Sequence, residues 1–232
     1  MKHTHNIYFS TLLAASLCLS ACMRGYDYEF YTPPFPETPT VDQATNYVYE
    51  TFDDAACVDG QMLMPPFGWT SFAIAGVRTF QTGVVAKKGG GIMRGVMGTG
   101  YLSNDTVNDF WLVMPPLDVS DSTSRLTFQE GITYDNDSTK IMLMYSEIYS
   151  GGMDRINPSE WVALRETKPA ATSSGAVEMR ECAPISLWKL GGSRKVVYVA
   201  FRYRSRVTLG DIAADNAKRA NYYLDNVVFR RN

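Results

Sequence analysis

Histidine is almost missing from this sequence: its 232 residues carry two, His3 and His5, both at the amino end. With no imidazole elsewhere, Ser-His-Asp and Cys-His nucleophilic catalysis, histidine-ligated zinc and imidazole acid–base chemistry have no residues to run on. Cysteine is scarce too, and the two beyond residue 22, Cys57 and Cys182, are too few for a thiolate-only metal site. No GxxxxGK[ST] or GxGxxG segment occurs, and Gly89-Gly90-Gly91, after Lys87-Lys88, has no following helix with which to cradle a phosphate. Neither sign of charge is in excess. With 22 basic against 24 acidic side chains, the net charge of −2 gives no long-range attraction for nucleic acid or anionic lipid. No apolar run reaches the length of a bilayer span. A helical stripe is also lacking, the nearest approach being Gly210 to Ala220, which reads as a loop with a helical turn. What is present, 45% hydrophobic residues with 12% aromatics, is enough to bury one good-sized core.

The first residues set the compartment. Lys2, His3 and His5 form a short basic head, Ile7 to Leu19 is mostly apolar, and small residues follow up to Cys22. This is the layout of an export signal. Leu19-Ser20-Ala21-Cys22 resembles the lipobox of bacterial lipoproteins, which implies cleavage before Cys22, acylation of that cysteine and a mature chain of 211 residues. Two or three acyl chains, at about 0.8 kcal/mol per buried methylene, would anchor the chain to a membrane effectively for good. An ordinary secretory signal cut near Ala21, leaving Cys22 a spare thiol, is the alternative. The expected location is the cell envelope, as an outer-membrane lipoprotein facing the periplasm or the cell surface. Losing Lys2 with the leader leaves 21 basic against 24 acidic side chains, a balance of −3. In so oxidising a setting Cys57 and Cys182 have two readings. They form a disulfide, worth about 4–5 kcal/mol for so long a loop, or they are two buried, inert thiols.

Three stretches follow: the leader at 1–21, a lipidated, proline-rich tether at 22–45 and one domain at 46–232. In the tether Pro33, Pro34, Pro36 and Pro39 enforce extended backbone. Beyond it the apolar period is two. Leu126 and Phe128 alternate with Thr127 and Gln129, Ile141, Leu143 and Tyr145 with Met142, Met144 and Ser146, and Val197, Val199, Phe201 and Tyr203 share one face. Turns at Gly89-Gly90-Gly91, Asp135-Asn136-Asp137, Gly151-Gly152 and Gly191-Gly192 separate these strands. About ten antiparallel strands in two sheets are expected, an all-β sandwich.

Several segments recur in a known order. They are Glu50-Thr51-Phe52-Asp53, Gly68-Trp69, Asp109 through Val119, Leu126-Thr127-Phe128, Met142 through Gly152, Trp161, and Tyr223-Leu224-Asp225-Asn226-Val227. Over residues 46 to 231 this pattern resembles the choice-of-anchor J group, relatives of cleaved-adhesin and MAM-type domains on Bacteroidetes surface proteins. Phe110, Met114 and Glu147 depart from it. The resemblance implies a jelly-roll β-sandwich of galactose-binding-like type and a surface role. It also implies a structural calcium ion. First and last strands of a jelly roll lie side by side, so Asp53 or Glu50 would meet Asp225 in an oxygen cage suited to Ca²⁺. Alternatively, Asp225 and Asn226 cap a turn or accept backbone hydrogen bonds.

Binding is the function these residues favour, to a glycan or a surface protein, without catalysis and without nucleic acid. Tyrosine and tryptophan faces stack on sugar rings. Trp69, Trp111 and Trp161 sit in core-like positions, which leaves Tyr101, Tyr134, Tyr149 and Trp188, in or beside turns, as ligand-binding candidates. Each also reads as an ordinary surface aromatic. Arg202, Arg204 and Arg206 share a strand face, either to hold an anion or to pair with Asp211 or Asp215. Two further roles stay open. One is a structural subunit of a surface assembly. The other is a carboxylate glycosidase drawing on Glu130, Asp135, Asp137, Glu147, Glu160 and Glu178, none of which stands out as a pair. Asp105-Thr106-Val107, Asp121-Ser122-Thr123 and Asp137-Ser138-Thr139 resemble the O-glycosylation sequon of Bacteroidetes exported proteins, with Thr106, Ser122 and Ser138 as acceptors.

Overall fold

Along residues 125–130 half-buried positions alternate with buried ones, so that segment turns one face to the core. A computed structural model of the chain describes residues 39–53, 60, 62–134, 137–151, 156–167, 171–173, 175–208 and 219–231. Cys22, Cys57, Asp211 and Asp215 lie outside them, as do the leader, most of the tether and the Gly210–Ala220 segment apart from its last two residues. Among the described residues no helix is long and apolar enough to cross a membrane.

Among the described residues fourteen strands run in chain order: β1 Tyr47–Glu50, β2 Thr70–Ala75, β3 Gln81–Ala86, β4 Ile92–Thr99, β5 Val107–Val113, β6 Leu117–Asp118, β7 Arg125–Thr133, β8 Thr139–Ser146, β9 Val162–Thr167, β10 Ala171–Thr172, β11 Arg180–Glu181, β12 Ile185–Ser186, β13 Val196–Arg206 and β14 Asn221–Arg230. They form a jelly-roll sandwich of an eight-stranded and a six-stranded sheet. The four strands beyond the expected ten or so are the two-residue pieces β6, β10, β11 and β12, too short to leave a periodic trace. One of them, β10, runs parallel to β7. The other pairings between these strands are antiparallel, as expected, and two isolated bridges, Thr45 to Leu117 and Lys87 to Val177, are parallel.

Strand β14 is the spine of the larger sheet. One of its edges pairs with β7 along its length. The other is shared. Asn221 to Leu224 pair with β4, and Val227 to Arg230 pair with β1. Where one partner leaves and the next arrives, a bulge interrupts the register between Asp225 and Val228, with Asn226 in the left-handed region at φ 50°. In the smaller sheet β13 is central, between β5 and β8. Phe110, Phe128, Leu143, Phe201, Tyr222 and Leu224 fill the space between the layers, each fully buried. A second cluster, Phe72, Trp111, Tyr149 and Trp161, covers the outer face of the smaller sheet.

The core holds one ionic network. Glu130 of β7 accepts from the Arg165 guanidinium and Thr167 hydroxyl of β9 in the opposing sheet, and from the Tyr222 hydroxyl at 3.1 Å. Arg165 also reaches the Cys182 sulfur at 2.8 Å and lies over the Phe128 ring. Every oxygen and most donors are satisfied, the condition under which a buried charge pair is tolerated.

Candidate ligand-binding site

At one end of the sandwich the turn after β4, the end of β7 and the start of β14 enclose a pocket of about 320 Å³, lined by Tyr101, Tyr134, Arg219 and Asn221. The two tyrosines were singled out from turn-rich segments, and the structure brings them together. Both rings are well exposed, at 44% and 42%. The walls are locally constrained. Thr99 Oγ1 accepts from the Tyr101 N–H at 3.0 Å and donates to the Asn221 amide oxygen at 2.6 Å, tying one wall to the other. Tyr134 itself, and Leu102 and Asn104 in the turn, adopt positive φ near 57°. Such a conformation costs a bulky residue on the order of 1 kcal/mol and holds only where surrounding contacts impose it.

Arg219 forms the floor. Its side chain is 2% exposed and crosses Gly100 so closely that a Cβ there would lie 3.0 Å from Arg219 Cδ and 2.7 Å from the Ser205 hydroxyl. Only glycine fits. The guanidinium donates to the Gly100 carbonyl and, at 2.6 Å each, to Ser103 Oγ and the Asp105 carbonyl. All three acceptors are neutral. The Asp105 carboxylate is engaged instead by the Val77 N–H at 3.1 Å. Nε has no hydrogen-bond partner, and among the described residues no carboxylate forms an ion pair with Arg219. A second guanidinium, that of Arg78, donates to the Leu102 carbonyl in the same turn at 3.1 Å.

Beneath the floor lies a buried polar layer. Asn108 donates to Ser103 at 3.0 Å, and the Tyr203 hydroxyl takes the Gly100 N–H at 3.0 Å and donates to the Ala220 carbonyl at 2.8 Å. Burial pushes the Tyr203 phenol up, so it remains a donor throughout the working pH range. This layer fixes both chain segments that carry the pocket, the 99–106 turn and the entry to β14. Chemically the pocket offers two aromatic faces, an amide and a buried cation. None of the four described residues that line it is an acid.

Other candidates have different fates. Tyr149 is a correction. It is 1% exposed, its ring packed at 5.2 Å from Trp161 and 4.8 Å from Tyr198, because the loop after β8 folds its aromatic onto the outer face of the smaller sheet. Trp188 is 38% exposed, with the Lys189 ammonium 5.9 Å from its ring, and does not line the pocket. Trp69, Trp111 and Trp161 are buried, as read. Arg202 does not need Asp211 or Asp215. It makes a bidentate pair with Asp109, at 2.8 and 2.5 Å, and lies 4.7 Å over the Trp111 ring.

Burial chiefly, and then the Asp53 charge, raise the Asp225 carboxyl from 3.8 to about 6, against the opposing pull of the Asn226 N–H and Lys87. Glu50 turns its carboxylate to the Phe52 N–H at 2.6 Å. No group of three or more acidic, histidine or cysteine side chains gathers among the described residues, so these side chains supply only part of the oxygen cage that Ca²⁺ takes. Cys182 is a buried free thiol, raised chiefly by burial, and Cys57 lies outside the described residues. Ser122 and Ser138 are exposed at turns, whereas Thr106 is half-buried before β5. Of the acids proposed for hydrolysis, Glu130 is held in the core network and Glu178 is paired with Arg180 and Lys88, which hold it below the usual carboxylate range.

Two features escaped the sequence reading. Arg219 gave no signal, since its burial depends on crossing a glycine more than a hundred positions earlier in the chain. The second is a groove of about 440 Å³ beside β1, between Tyr47, Tyr49, Phe67 and Pro115-Pro116. Phe67 stands wholly exposed at the tip of a turn that the Trp69 N–H closes on the Pro66 carbonyl, with Gly68 at φ 81°. The sequence Pro65-Pro66-Phe67-Gly68, an aromatic between turn formers, was the available sign.

Among solved structures the chain is similar to the K1 cleaved adhesin domain of Lys-gingipain from Porphyromonas gingivalis W83, with a TM-score of 0.50 and 17% identity, covering 81% of this chain and 99% of that one. The K2 cleaved adhesin domain of Lys-gingipain gives a TM-score of 0.49 at 15% identity, over 80% and 98%. A xylan-binding domain from Paenibacillus barcinonensis gives 0.40 at 12% identity, over 79% and 99%. At such identities the K1 likeness is one of fold. No family model matches the sequence, and no curated protein matches it.

Proposed function

We propose that this chain is a non-catalytic binding protein of the cell envelope, lipid-anchored through Cys22, whose sandwich takes a glycan in the pocket between Tyr101 and Tyr134. The observation that carries the reading is the lining itself. Two exposed tyrosine rings flank an amide and a guanidinium in a concavity whose size lies within the range of small-ligand sites, with no acid among the described lining residues. Tyrosine faces supply stacking area at little conformational cost, and Asn221 offers both a donor and an acceptor to sugar hydroxyls. A jelly roll is a rigid scaffold that carries such a site on its connecting loops.

A second reading, recognition of a protein in a surface assembly, is favoured by the groove beside β1, where Tyr47 and Tyr49 are 58% and 59% exposed and Phe67 is bare. A glycan array probed with the full chain separates the two. The proposal expects one glycan class to be retained, its retention weakened about tenfold by Tyr101→Ala and untouched by Phe67→Ala. A blank array, together with a co-purifying protein that Phe67→Ala releases, moves the function to the groove. Labelling with radioactive palmitate that Cys22→Ser abolishes would support the anchor, and unlabelled wild-type chain would remove it.

A further inference from the structure

The floor of the pocket carries a positive charge that no carboxylate among the described residues neutralises. Arg219 is 2% exposed, three of its five N–H donors go to two carbonyls and one hydroxyl, and Nε is unpaired. Arg78 adds a second guanidinium to the same turn, again on a carbonyl. Three other guanidiniums among the described residues are held differently. Arg165 is paired with Glu130, Arg202 with Asp109 and Arg231 with Asp118. Withdrawing a cation from water without a counter-charge is costly, and the cost is recovered when an anion arrives in the same low-dielectric space. Carbonyl dipoles keep the guanidinium rigid and do not cancel its charge, which leaves it a preorganised receptor for a carboxylate.

Resting on the reading that the pocket binds a glycan, we infer that its ligand is an acidic sugar. The carboxylate of a uronic acid residue sits over Arg219, while the faces of Tyr101 and Tyr134 hold the ring. The described residues of the lining include no acidic side chain to repel such a group, and the chain's overall charge is close to balance.

The test compares acidic polysaccharides with their own carboxyl-reduced forms, so that the charge is removed from the ligand and the protein fold is left alone. Full chain, purified in detergent, is presented with polygalacturonate, alginate and hyaluronan and with the reduced form of each, by affinity electrophoresis. The inference expects at least one acidic form to be retained, its reduced form to bind about tenfold more weakly, and the preference to weaken as salt rises. Arg219→Gln should erase the preference, and Arg219→Lys, which keeps the charge and loses the fork, should retain part of it. Equal binding of an acidic polymer and its reduced form, both weakened by Tyr101→Ala, overturns the charge inference and leaves the glycan reading standing. An acid preference that survives Arg219→Gln also overturns it. Retention of none of the six polymers overturns both. Should Arg219→Gln fail to fold, the reduced ligands and Arg219→Lys still decide the matter.

Discussion

Arg202, on the outer face of the smaller sheet, and Arg219, at the end of the sandwich, are both withdrawn from solvent, and they are held in opposite ways. Arg202 has a carboxylate one strand away, taken in a two-point grip, and an indole ring beneath it. Its partners come from β5, so the pair ties neighbouring strands together and its whole charge is spent on the fold. Arg219 has carbonyls, a hydroxyl and an orphaned Nε. The guanidinium of Arg202 serves architecture and is matched with an acid inside the chain. One that is kept unmatched beside two exposed aromatic rings keeps its charge available for something else.

The contrast can be broken most severely at Asp109. Asp109→Ala strands a buried cation and should cost about 3–5 kcal/mol, read as a large fall in the denaturation midpoint. Arg219→Gln removes a cation that has no carboxylate partner among the described residues and should cost about 1–2 kcal/mol, the worth of a few hydrogen bonds. Equal losses from the two substitutions would mean that Arg219 is as structural as Arg202.

A smaller effect concerns Asp225, an acid that, unlike Asp109, is buried with more repulsion than support. Its carboxyl is raised from 3.8 to about 6 in the fold, so the folded chain holds that proton more tightly than the unfolded one. Stability therefore falls as pH rises from about 4 to about 6 and is level above it. With partial solvent access the loss is about 1–2 kcal/mol. The difference between wild type and Asp225→Asn across that window isolates the effect from other titrating groups. Parallel stability curves would show the carboxylate to be well solvated.

The smallest effect belongs to the strained turn itself. Leu102, exposed and at φ 56°, should gain about 0.5–1 kcal/mol on replacement by glycine, whereas the same change at the exposed Ile92 inside β4 should lose stability by a similar amount. A loss at both positions would show that the turn is not strained.

Much of the sandwich was readable because burial between two sheets imposes a period of two, and Leu126, Phe128, Val197, Val199 and Phe201 carry it without interruption. The two-residue strands were not readable, since they owe their pairing to neighbours rather than to their own pattern. Tyr101 and Tyr134 could be named singly from their turns, but their convergence depends on β14 entering between β4 and β7, a contact no local rule contains. Tyr149 misled for a similar reason. A serine and a glycine after it signal a surface turn, yet its ring is captured by Trp161, which follows a further loop. Arg202 was matched with acids nearer in sequence, while register set it beside Asp109, more than ninety positions earlier.

Hydrogen–deuterium exchange on the full chain, with and without a glycan retained on the array, tests the assignment of the pocket most directly. The account predicts slowed exchange in the 99–106 turn and at 219–221, with the β1 groove at 47–50 and 66–69 unchanged. Protection confined to the groove, with the end of the sandwich exchanging as before, would contradict it.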